Sequence, residues 1–120
     1  MNRTLRHAAL LLAVCATTAM PARAEYRYTP DDVLAAMSTH SALAACIVTG
    51  EVGGVGYDAY AVGAAGELGP VQLAPFGLLD DYLRWSGGAS PYDPYTTLDY
   101  LDYALGRGMG PNWSTYWRCL

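Results

Sequence analysis

The sequence predicts a mainly α-helical domain of the α+β class, with about four to five helices and a small β-hairpin edging a cleft. Three observations predict it. Helix-start chemistry stands at Thr29-Pro30-Asp31-Asp32 and again at Asp93-Pro94. Apolar residues recur at helical spacing after both starts and in the segments around Ile47 and Leu79. Between these helical patterns, seven glycines from Gly50 to Gly69 interrupt regular structure and leave room only for short extended pieces.

The first 24 residues read as a signal peptide that is removed. Arg3 and Arg6 form a positive start, His7 to Met20 is an apolar run without acids, and Ala22-Arg23-Ala24 is a small-x-small cleavage site. The run is shorter than the ~20 residues a spanning helix needs. Cys15 follows the bulky Val14, which does not suit a lipid-modification site. Residues 25–120 then form a single domain, exported to the extracellular or periplasmic space, with no stable membrane anchor.

Without Arg3, Arg6 and Arg23, four basic residues stand against 11 acids, a formal charge of −7, and there is no lysine. Such a chain does not bind nucleic acid through its phosphates, nor an anionic membrane by charge. A monomer is expected. A domain this small buries a modest core. Two cysteines remain after cleavage, Cys46 and Cys119, and export permits the one disulfide they can make. In the chain-entropy view, closing a loop of this length contributes roughly 4 kcal/mol.

In chain order, Thr29 caps a first helix that runs to about Thr39, with Pro30 at its first position and Asp31 and Asp32 at the positive end of its dipole. His40 falls in the turn that follows. Ser41 is positioned to cap a second helix, in which Leu43, Cys46, Ile47 and Gly50 form the protein-facing stripe. Glu51 lies four residues after Ile47 and projects from the same side. A carboxyl placed there, at the negative end of the helix dipole and against apolar surface, suits a general acid, which has to hold a proton near neutral pH. Tyr57 to Val62 forms a short strand and Gly63-Ala64-Ala65-Gly66 its turn. Phe76 to Trp85 forms a third helix, stopped by Ser86-Gly87-Gly88. Asp93 caps a fourth, with Tyr95, Leu98, Leu101 and Leu105 on one face and an end at Gly106 or Gly108. Trp113, Tyr116 and Trp117 close the chain beside Cys119.

Several chemistries lack their residues. With His40 the sole histidine after the leader and both cysteines paired, there is no zinc set and no Ser-His-Asp machine. The glycines do not spell a phosphate loop. No metal and no cofactor is expected. Carboxylate chemistry remains, with Glu51, Asp58 and Glu67 in or beside the glycine-rich stretch, and two carboxyls across a cleft is the general arrangement for glycoside cleavage. The ten tyrosines and three tryptophans fit either sugar stacking or an economical small core.

Read together, CIVTGEVGG, YDAYAVGAAGELGPVQL, SPYDPYTTLDYLDYALGRGMG and WSTYW resemble the lysozyme-like superfamily, and are similar to its small secreted bacterial transglycosylase-type (SLT-like) domains. Glu51 matches the family's acid, Gly63-Ala64-Ala65-Gly66-Glu67-Leu68-Gly69-Pro70-Val71-Gln72 its middle motif, and Asp93-Pro94-Tyr95 and Trp113 its later elements. The resemblance covers roughly Ala42 to Trp117 and implies a lysozyme-like fold. It also implies cleavage of the β-1,4 bond between N-acetylmuramic acid and N-acetylglucosamine in peptidoglycan strands, with Glu51 as general acid. Gln72, Tyr57 and Tyr60 are the candidate substrate-binding residues, and Glu67 and Asp58 the candidate second carboxylates. Val52 stands where the family usually has Ser, so position 52 offers no hydroxyl to the acid, and no Tyr-Asn pair follows the middle motif. Two alternatives stand beside the enzyme: a non-catalytic glycan-binding module on the same scaffold, and a small disulfide-stapled interaction protein.

Overall fold

The computed structural model describes residues 40–120. The expected signal peptide, its expected cleavage site and the helix expected from Thr29 lie outside them. The described part is a compact, mainly helical globule of three α-helices: α1 (Ser41–Val52), α2 (Leu78–Ser86) and α3 (Pro94–Gly106). Short 3₁₀ turns at Gly53–Val55, Gly110–Asn112 and Tyr116–Cys119 complete the helical structure.

The α1 sequence is apolar around most of its circumference, so periodicity alone does not select its buried face. Ala44, Ile47, Val48 and Val52 are the residues fully withdrawn from solvent. Leu43 is only half-buried, and Cys46 and Gly50 are exposed, which corrects the expected stripe by a rotation of about one position. His40 occupies the position before the helix. Its main-chain N–H donates to Asp102 Oδ1 at 2.9 Å and its Nδ1 lies 3.0 Å from the same oxygen, fastening the start of α1 to α3.

α2 begins at Leu78, two residues later than expected. Ala74 to Gly77 form a turn, and Phe76 stands 98% exposed before the helix. Gly87, left-handed at φ 70°, ends α2 where the Ser-Gly-Gly run predicts. Asp93 caps α3 as expected, accepting from Tyr95 N at 3.0 Å and from the Thr96 hydroxyl at 2.8 Å, with Pro94 in the first turn. The buried face of α3 is Thr97, Leu98, Tyr100, Leu101 and Ala104, whereas Tyr95 is exposed and Leu105 half-buried.

The expected hairpin is not formed: among the described residues there are no strands. Two isolated antiparallel bridges, Val62 with Leu68 and Leu68 with Leu73, take its place. The Gly63–Gly66 turn is present, closed by Gly66 N to Gly63 O at 3.0 Å. Extended pairing stops because Tyr57, Gly66, Gly69 and Gln72 all take positive φ and turn the chain before a ladder can run. Gly69, at φ 81°, meets the carbonyl of Pro91 so closely that a Cβ there would stand 1.9 Å from that oxygen. The middle motif thereby packs directly against the entry to α3.

Cys46 and Cys119 are joined, their Cα atoms 5.7 Å apart and 73 positions apart in the chain. The bond pins the last turn of the chain to the middle of α1. Directly before Ser114-Thr115, the buried Trp113 donates its indole N–H to Val71 O at 2.7 Å. The C-terminal segment is therefore held to α1 on one side and to the middle motif on the other.

Candidate active site

Three stretches of chain meet around a cleft of about 370 Å³. The end of α1 brings Glu51. The glycine-rich segment brings Gly63, Ala64, Glu67, Gln72 and Ala74, and the C-terminal segment brings Asn112, Trp113 and Ser114. Among the described residues no basic side chain lines it, and two carboxyls do.

Glu51 is half-buried. Its Oε1 accepts the Thr115 hydroxyl at 3.0 Å and, more weakly, the Ser114 hydroxyl at 3.4 Å. Among the described residues no hydrogen bond reaches Oε2. The hydroxyls beside the acid thus come from the far end of the chain. Position 52 does not contribute, because Val52 is fully buried in the core.

Glu67 shares the cleft with Glu51. Its Oε2 accepts Ala65 N at 3.3 Å and lies against the Cα of Gly63, where a Cβ would come within 1.9 Å of it. Asp58 is not among the cleft-lining residues; its Oδ1 accepts Tyr60 N at 2.9 Å, a local turn contact.

Gln72 lines the cleft while only 8% exposed. Its Nε2 donates to Ala61 O at 3.1 Å and to Gly69 O at 3.0 Å. A carboxamide has two N–H donors, so both are committed to the main chain and Oε1 is the part left for a ligand. Gln72 also takes φ 52°, a conformation that costs a non-glycine residue about 1 kcal/mol and that these two bonds hold in place. Tyr57 and Tyr60 are not among the lining residues. The Tyr57 hydroxyl is 2.9 Å from Thr49 Oγ1 on α1, and Tyr60 stacks on Tyr92 with ring centroids 5.2 Å apart.

No protein-family model, no curated protein and no solved structure matches this chain. The chemistry of the cleft therefore carries the functional assignment. Among the described residues no group of three or more His, Cys, Asp or Glu side chains is placed to hold a metal ion, and no helix is long and apolar enough to cross a membrane.

Asn112, Ser114 and Thr115 join the site without having been singled out as site residues. A signal for them is present in the chain: Cys119 pairs with Cys46, and Glu51 follows Cys46 by about as many positions as Ser114 and Thr115 precede Cys119. A bond between the cysteines brings both neighbourhoods to one end of α1.

Proposed function

We propose that this protein is a secreted, lysozyme-like enzyme that cleaves the β-1,4 bond between N-acetylmuramic acid and N-acetylglucosamine in peptidoglycan, in the manner of a lytic transglycosylase. The observation that carries the proposal is Glu51 at the end of α1, one carboxyl oxygen bonded to hydroxyls and the other unbonded among the described residues, in a cleft shared with Glu67 and Gln72. The resemblance of the middle motif to the transglycosylase-type domains supports it. The Cys46–Cys119 bond is in keeping with export to an oxidising compartment.

Glu51 donates its proton to the glycosidic oxygen as the C1–O bond breaks, so the leaving sugar departs with a neutral 4-hydroxyl. The N-acetyl group beside the scissile carbon assists from within the substrate. Glu51, now a carboxylate, takes the proton of the sugar's own 6-hydroxyl as that oxygen closes on C1, which restores the acid and leaves a 1,6-anhydro end. Gln72 shapes the cleft, its amide holding two turns of the glycine-rich segment together.

Clearing of a purified peptidoglycan suspension tests this reading. Glu51→Gln should lose about 10² to 10⁴ of the rate while still sedimenting with peptidoglycan, because the amide keeps size and hydrogen bonding but delivers no proton. Undiminished clearing by that variant removes Glu51 from the mechanism. A second reading, a glycan-binding module without turnover, is favoured by Val52, a core residue where the resembling enzymes carry Ser. Binding without clearing by the unaltered protein would establish that one.

A further inference from the structure

Thr115 is built into the protein more deeply than its neighbour. It is 3% exposed, whereas Ser114 is exposed. Its hydroxyl makes the shorter bond to Glu51 Oε1, 3.0 Å against 3.4 Å. Its methyl group sits against Gly50, where a Cβ would come within 2.7 Å of Thr115 Cγ2. The residue directly before Glu51 thus has no side chain at the place where Thr115 is seated. Thr115 is also held along the chain in both directions: by the Trp113 indole on Val71 O at 2.7 Å, and by Cys119 bonded to Cys46.

We infer that Thr115 is a positioning residue for Glu51, setting which of its carboxyl oxygens carries the proton and fixing that oxygen's orientation in the cleft. The inference rests on Glu51 being the acid of the proposed reaction. A hydroxyl has one proton to give. Once it is given to Oε1, that oxygen serves as the acceptor, and the acid's own proton resides on Oε2. When Oε2 releases the proton to the glycosidic oxygen, the charge that develops on the carboxylate meets a donor already in place, so nothing has to reorganise as the bond breaks. Ser114, exposed and farther away, contributes less.

The test uses the full chain and its Thr115→Val, Thr115→Ser and Glu51→Gln variants. Thr115→Val keeps the shape and removes the hydroxyl; Thr115→Ser keeps the hydroxyl and removes the methyl. On purified peptidoglycan, Thr115→Val should lower kcat by roughly 10-fold to 10²-fold with little change in KM. Thr115→Ser should recover most of the rate, and adding Thr115→Val to Glu51→Gln should cost nothing further. The protein has three glutamates, so a carboxyl-¹³C-glutamate label gives a simple spectrum in which Glu51→Gln assigns the Glu51 signal. That signal should move in Thr115→Val and return in Thr115→Ser. An unmoved signal overturns the inference, as does an unchanged kcat in Thr115→Val, or a Thr115→Ser variant as slow as Thr115→Val. If the unaltered protein cleaves no peptidoglycan, the proposed function fails, and the ¹³C signal alone decides whether Thr115 sets the state of Glu51. Should Thr115→Val not fold, Thr115→Ala takes its place in both measurements.

Discussion

The Trp113 indole N–H donates to the carbonyl of Val71 across 2.7 Å, joining positions 42 residues apart within the buried core. Val71 directly precedes Gln72, and Trp113 directly precedes Ser114, so this one bond aligns two walls of the cleft. Trp113→Phe keeps an aromatic ring but leaves Val71 O without its donor. Leaving a buried carbonyl unsatisfied costs about 1 to 3 kcal/mol. The urea midpoint should fall accordingly with an unchanged slope. A midpoint equal to that of the parent would show that water or another donor replaces the indole.

The Cys46–Cys119 bond closes a long loop and ties down the segment that bears Thr115. Replacing both cysteines by Ala should cost about 2 to 5 kcal/mol. That is a large share of a small domain's stability. Cleavage activity should fall as well, at temperatures where the variant is still folded, because the Thr115 hydroxyl loses one of its anchors. A variant that melts with the parent would mean that the bond does not constrain the unfolded chain.

The two candidate second carboxylates now stand differently. Asp58 is engaged in a local turn, and Glu67 lines the cleft with Glu51. Asp58→Asn should therefore leave activity unchanged. If the substrate supplies its own nucleophile, Glu67→Gln should keep most of the rate, and mass spectrometry of digested wall should show 1,6-anhydro ends, lighter by one water. Hydrated reducing ends, with activity lost in Glu67→Gln, would instead show a hydrolase that uses two carboxyls.

Alkaline pH should destabilise the fold through Tyr82. Burial, and then the nearby Asp93 charge, push its phenol up to about 12 from the ordinary value of 10.0, against a smaller opposing effect of Ser86. Tyr100 is raised in the same direction, by burial first and then by its bond to Asp81, at 2.8 Å. Between the unfolded and folded values the unfolded chain binds fewer protons than the folded one, so stability falls as pH rises. The contribution is complete below about pH 10 and is lost as pH climbs through about 12. Each such tyrosine costs up to about tenfold in the folding equilibrium per pH unit in that window. Urea unfolding between pH 9 and 11 should show the decline, and Tyr82→Phe should flatten it. An equal slope in that variant would remove Tyr82 as a cause.

Features governed by nearest neighbours were legible in the sequence. Asp93 caps α3 because its carboxylate reaches N–H and hydroxyl groups two and three residues on, and Gly87 ends α2 because a glycine takes the left-handed turn without strain. The disulfide followed from counting, since the two cysteines beyond the expected leader have one way to pair. Glu51, Glu67 and Gln72 could be nominated by position, and all three line the cleft. What required the tertiary structure depends on residues far apart in the chain. The buried face of α1 was chosen by what packs on it, because a helix apolar on most sides has no face that its own sequence prefers. The hairpin gave way to isolated bridges because Gly69 must meet Pro91 O and Gln72 must turn back on Gly69, contacts that outweigh local β-propensity. The hydroxyl beside Glu51 comes from Thr115, 64 positions away. Spacing along a chain determines only what lies within one turn, and it is the Cys46–Cys119 and Trp113–Val71 links that bring that hydroxyl to the acid.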